Sequence, residues 1–193
     1  MRRADPSVHD QILAHYRRVW PTREITSVHW TPEHMAGRLP DLHIAKVAPE
    51  QPGQAWILAT IGAWRATQDL KTGLEFAAVS RSEAAAVMTR LGMLAYYNAG
   101  PPENRLGVGH TLPTGEGWVP GSPLDAMLIS LPYLWGPTLE HCELKKRHIQ
   151  VLWAIPIYDA ERSYVREHGL EELEQRFESQ SFDYLDPFRK PVV

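Results

Sequence analysis

Residues 105–133 read RLGVGHTLPTGEGWVPGSPLDAMLISLPY, a tract dense in Gly, Pro and Trp that runs straight into an apolar segment over 126–131. Glycine permits positive φ, and proline fixes its own φ while withholding a donor, so the first half of the tract is irregular backbone. Val108, Leu112, Trp118, Val119 and Leu124 are spaced through it as anchors that a disordered segment would lack. An ordered loop of this length inside a compact domain usually carries function. It feeds a strand over 127–131 that stops at Pro132.

Downstream, strands are expected over 139–144 and 148–157, joined as a hairpin through Lys145-Lys146-Arg147. Asp159 caps a helix through His168, Gly169 ends it, and Leu170, Leu173 and Phe177 mark a further short helix. An aromatic, proline-bearing tail from 182 to 193 is expected to lie over the surface. Upstream, Ser80-Arg81-Ser82-Glu83 reads as a capping box opening a long helix. Its apolar face is Ala84, Val87, Met88, Leu91, Leu94 and Ala95. Gly92 within it costs about 1 kcal/mol against alanine, which implies a close packing contact there. Strands are expected over 24–30, 42–47, 56–61 and 74–79, with the second and third paired as a hairpin and Trp64 on the loop before the fourth. The first helix opens at Asp5-Pro6, repeats apolar residues at Val8, Ile12, Tyr16 and Val19, and stops at Pro21.

Helices at both ends and in the middle, with hairpin-linked strands between them, define an α+β fold. Its mixed, largely antiparallel sheet packs against amphipathic helices; the regular βαβ alternation of a doubly wound sheet is missing. The 193 residues fit a single domain, with a core of about 8–186 and a tail over 187–193.

Composition excludes several function classes. A net charge of −3 and a sequence pI near 6.3 give no electrostatic footprint for nucleic acid. No apolar run approaches the roughly 20 residues of a membrane span. Cys142 has no second cysteine to bridge, and the N-terminus lacks the apolar core of a signal peptide; the expected location is the cytoplasm.

The chemistry-bearing residues form no recognised constellation. Gly121-Ser122-Pro123 lacks the pattern of a nucleophile elbow, and Ser122 with Asp125 reads as a helix cap. Cys142 falls within a strand, as a small buried hydrophobe does. The nine histidines show no metal-ligand spacing, although Cys142 and His148 could meet across a hairpin, with His110 or His141 nearby. No cofactor is expected. Gly107-x-Gly109 and Gly115-x-Gly117 lack the third glycine of a dinucleotide fingerprint. The enzyme alternative is a small hydrolase or metal-dependent enzyme using His110, Asp125 and Glu116. It requires these side chains in one pocket, with His110 in reach of a carboxylate. Otherwise His110 anchors the loop. Trp118 is either an interface anchor or a ring capping the sheet, and Tyr133 is expected in the core.

The run RLGVGHTLPTGEGWVPGSPLDAMLISLPYLWGP, followed by HIQVLWAIPIYDAERSYVREHGLEELEQRFE, resembles the bacterial members of the suppressor of fused family. WILATIGAW and LEFAAVSRSE resemble the same family's central hairpin and the entry to its long helix. The resemblance covers roughly residues 15–186, in the family's order, and rests on the ordered set rather than on one motif. In the animal proteins it implies the N-terminal half of a clamp on a peptide of Gli-type transcription factors. In bacteria it implies a single domain of the kind proposed as an immunity protein that neutralises a toxin encoded nearby. The sequence lacks the animal proteins' second half, so no peptide-binding residues carry over. The implied role is non-enzymatic binding of a protein partner, with His110, Trp118, Asp125 and Trp135 as candidate contact residues.

Overall fold

The computed structural model describes residues 7–67 and 69–193. Eight strands form one sheet, in the order β1 (Ile25–His29), β2 (His43–Val47), β3 (Trp56–Ile61), β4 (Thr72–Ser80), β8 (Arg147–Ile157), β6 (Ala126–Ser130), β5 (Thr111–Pro113); β7 (His141–Leu144) also pairs with β8. The pairs are antiparallel except at the centre, where β4 and β8 run parallel from Thr72 opposite His148 to Ala77 opposite Trp153. The β2–β3 hairpin forms as expected. The sheet is therefore mixed and largely antiparallel.

Both faces are covered. Along β2, Ala45 and Val47 enter a core shared with α1 (Val8–Val19), while Ile44 enters a core shared with α2 (Ala85–Asn98). Along β8, Val151, Trp153, Ile155 and Ile157 join the first core, and Leu152 and Ala154 the second. This two-sided burial is why β3 and β8 are continuous apolar runs rather than alternating ones. The remaining helices α3 (Pro137–Glu140), α4 (Asp159–His168) and α5 (Leu170–Ser179) follow β6 and β8. Leu173 and Phe177 of α5 pack on the α1 side.

Several local expectations are corrected. Asp5 and Pro6 lie outside the described residues; within them Ser7 caps α1 in a reciprocal box with Asp10. The box at Ser80–Glu83 does not form: Ser80 ends β4, Glu83 pairs with Lys46, and Ala84 precedes the helix without a side-chain cap. Residues 139 and 140 are helical rather than extended, because Gly136 at φ +58° and Pro137 at the first helical position start a turn that ends where β7 begins. No helix follows Ser122. Its hydroxyl donates to Pro187 O and accepts from Leu124 N, and Asp125 serves elsewhere. Tyr133 is 57% exposed rather than part of the core. Gly92 does have its close neighbour, since a Cβ there would sit 3.3 Å from the Trp30 ring.

The tail is more than a surface strap. Arg189 and Val192 are 7% and 6% exposed, and Arg189 binds Glu161 in the first turn of α4. Glu161 accepts from Tyr158 N at 3.0 Å as a capping residue does, but it is wholly buried by this pairing rather than solvated at a helix end.

Candidate functional site

The loop 105–113 is rigid because its backbone is paired. Gly109 N donates to Ile129 O at 2.8 Å, and Ile129 N to His110 O at 2.9 Å, which extends the β5–β6 ladder backwards. Gly109 reaches this position with φ +85°, a conformation that favours glycine. On the other side, the buried Asn98 at the end of α2 accepts from Leu106 N at 2.9 Å, fixing the chain between helix and loop. Arg105 reaches Asp69 at 2.8 Å.

This frame borders an open cleft of ≈ 320 Å³ whose walls include Tyr97, Arg105, His110, Arg162 and Arg166. Tyr97 stands in the last turn of α2 and is 37% exposed; Val108, at the tip of the loop, is 41% exposed. Arg162 is held by Asp159 at 2.7 Å. Asp159 N in turn donates to Asp125 Oδ1 at 2.9 Å, which ties α4 to the start of β6. Arg166 is exposed and, among the described residues, has neither a carboxylate nor another hydrogen-bond partner in reach. The His110 ring is exposed and likewise makes no hydrogen bond among them; only its backbone anchors the loop. Glu103 is the one acid lining the cleft. The surface offered is cationic with an apolar edge, set on elements that cannot easily move.

The residues singled out from sequence do not form one site. His110 lines the cleft, and Asp125 stands behind its Arg162 wall, linked to it through Asp159. Trp118 is 3% exposed and packs in the α2-side core, as a ring capping the sheet does. Burying a side chain of that size contributes about 1.5–3 kcal/mol. Trp135 is half-buried on the opposite face of the sheet, edge-on to Trp20 at 5.6 Å and to Trp153 at 6.3 Å. Glu116 pairs with Arg90 of α2 at 3.0 Å, bordering a different cleft. The constellation required by a hydrolase using His110, Asp125 and Glu116 is therefore not assembled. Cys142 is fully buried, and burial pushes its thiol up to about 12, far from a nucleophilic thiolate. Cys142 and His148 do not meet: Cys142 stands opposite Ile149, while His148 pairs with Glu143. Among the described residues no three His, Cys, Asp or Glu are grouped to hold a metal ion. No described helix is long and apolar enough to cross a membrane.

Tyr97, Arg162 and Arg166 escaped sequence reasoning, and Val108, expected as an apolar anchor, is exposed instead. Tyr97 follows the apolar run of α2 and reads as its continuation, and Arg166 reads as a cation complementing a helix C-terminus. The exposed aromatic at the end of an otherwise buried face was the available signal.

The comparisons with known proteins agree with this architecture. The family model "Suppressor of fused protein (SUFU)" matches residues 38–190. A putative SUFU homolog from Neisseria gonorrhoeae is 30% identical, with a TM-score of 0.84 over 96% of this chain and 97% of that one. A chain of the Sufu-Fu complex superposes with a TM-score of 0.74 at 13% identity, covering 98% of this chain and 93% of that one. Drosophila Suppressor of Fused gives the same score and identity over 97% of this chain, which spans 51% of the Drosophila chain. At such identities the last two show the fold alone. The immunity protein YqcF of Bacillus subtilis is 34% identical over 62 residues, 32% of each protein, so the match spans about a third of that curated relative.

Proposed function

Since the chain belongs to the suppressor of fused family, we propose that it acts by binding a protein partner without catalysing a reaction, and that it is an immunity-type protein neutralising a toxin encoded nearby. The observation that carries the binding reading is the cleft at the end of α2. Exposed Tyr97 lines it with Arg166 and His110, whose side chains have no partner among the described residues, and Val108 is exposed on the same loop as His110, on a frame fixed by backbone hydrogen bonds. Tyrosine and arginine on a rigid surface are the commonest anchors of protein interfaces. The cationic rim suits an acidic segment of the partner. The toxin-neutralising version draws its support from the partial likeness to YqcF. The buried, unpaired Cys142 suits a reducing cytoplasm, where we place the protein.

The test is co-purification of the tagged protein with the product of the adjacent gene, together with rescue of growth when the two are co-expressed. A stoichiometric complex that survives washing, weakened by Tyr97→Ala and Arg166→Glu, is the expected result. Binding unaffected by both substitutions moves the interface elsewhere. Absence of any complex and of any rescue overturns the immunity reading.

A further inference from the structure

The first turn of α1 meets the β1–β2 hairpin through three imidazoles. His43 of β2 is central: its ring lies edge-on to His9 of α1 with centroids 4.5 Å apart, and edge-on to His29 of β1 at 5.2 Å. His43 Nδ1 is 3.0 Å from Asp41 O and His29 Nε2 is 3.2 Å from Pro40 O, so each donates one N–H to a backbone carbonyl. Among the described residues, the carboxylates around the row are already engaged. Asp41 binds Arg65 at 2.9 Å, and Asp10 accepts from Ser7 in the α1 cap, with Arg17 also acting on it. Glu75, beneath the adjoining turn, is occupied by the amides of Gly62, Ala63 and Trp64. Arg65 adds a positive charge on the same cleft of ≈ 470 Å³, which Ser7, His9, His43 and Trp64 also border.

We propose that His9, His29 and His43 form a proton-sensitive latch. Uncharged, the rings pack and hold the first turn of α1 to the hairpin; protonated, they repel one another and release that turn, opening the cleft. The direction agrees with His9, whose pKa is lowered from 6.5 by burial and by His43, with Asp10 opposing. A histidine depressed in the folded state contributes stability that is complete above its unfolded value and is lost as pH falls through that value toward the folded one.

Amide hydrogen exchange on the full chain, corrected for intrinsic rates, reads the latch between about pH 7.5 and about pH 5.5. Protection at Gln11, whose N–H makes the first hydrogen bond of α1 to Ser7 O, should fall about tenfold as that turn opens locally. In His43→Gln the fall should shrink to about twofold. His15, buried farther along α1 against Leu139 O, titrates in both proteins, so the difference between them isolates the row. An equal fall in both proteins, or no fall in the wild type, overturns the proposal. Ring-proton titration of the wild type decides independently of whether the variant folds: a His9 midpoint at or above 6.5 rules the latch out.

Discussion

Arg189 grips Glu161 with both guanidinium ends, Nη1 to Oε1 at 2.7 Å and Nη2 to Oε2 at 2.6 Å, while the two side chains are 5% and 0% exposed. The rings of Tyr158, Phe177 and Phe182 surround the guanidinium. Arg189→Met would leave a buried carboxylate held by the backbone N–H groups of Tyr158 and Val192 alone. It should destabilise the fold by about 3–5 kcal/mol, read as a lower urea midpoint. The double variant Glu161→Leu, Arg189→Met should recover most of that loss, because a well-packed apolar pair carries no desolvation cost. If the double variant is as unstable as the single one, the tail matters for packing rather than for charge.

Glu75 predicts a pH dependence of opposite sense to that of the histidines. Burial pushes its carboxyl from 4.5 up to about 7, against hydrogen bonds from Thr60, Gly62, Trp64 and Ala63 that pull it down. The folded chain thus retains a proton that the unfolded chain releases. Stability from this group is complete below 4.5 and is lost as pH rises through about 7. At about 1.4 kcal/mol per pKa unit the loss is on the order of 3 kcal/mol. Glu75→Gln, which cannot ionise, should therefore cost less relative to wild type near pH 8 than near pH 5, when unfolding is measured at both. A cost that grows with pH would contradict this.

At the proposed interface, Tyr97→Ala should weaken partner binding by about 2 kcal/mol, the size of a hot-spot loss. Arg166→Glu should slow association and steepen the loss at low salt, because it inverts a rim charge. Neither should move the urea midpoint by more than about 0.5 kcal/mol, since both side chains are on the surface. Trp118→Ala should do the reverse and cost about 3–5 kcal/mol of stability through the core cavity it leaves. Calorimetric titration beside urea unfolding separates the two classes.

Gly117→Ala should disrupt the turn over 114–122. A Cβ at that position would lie 2.0 Å from Ser122 O, a backbone atom that cannot rotate away. Moving the turn also breaks the 2.8 Å bond from Arg90 to Gly117 O. Destabilisation of about 2 kcal/mol or more is expected, with higher proteolytic sensitivity within 114–122 than elsewhere.

What was legible in the sequence was what local composition controls. β3 and β8 announced themselves because burial on both faces requires unbroken apolar runs, and α2 because its apolar residues recur at helical spacing. What distant partners decide was hidden. Glu83 fits a capping box until Lys46, on a strand far away in sequence, captures it. Ser122 fits a cap until the tail brings Pro187 O to its hydroxyl. The parallel pairing of β4 with β8 joins segments separated by α2, α3 and three further strands, so no periodicity reports it. For the proposed interface, His110 stands out in the sequence because its loop is conspicuous. Tyr97 and Arg166, an exposed tyrosine and an arginine on helices, look like ordinary surface until the fold sets them around one cleft.

β8 is the shared neighbour of β4, β6 and β7, and its place after the other seven strands has a consequence for synthesis. Until residues 147–157 are made, the β1–β4 meander and the β5–β6 pair share no backbone ladder, and each keeps an open edge. Glu161 and Arg189 emerge later still, so their buried ion pair can close only after β8 is made. The sheet can therefore close only once β8 is made, and a product cut before it exposes the edges of β4 and β6 to pairing with other chains.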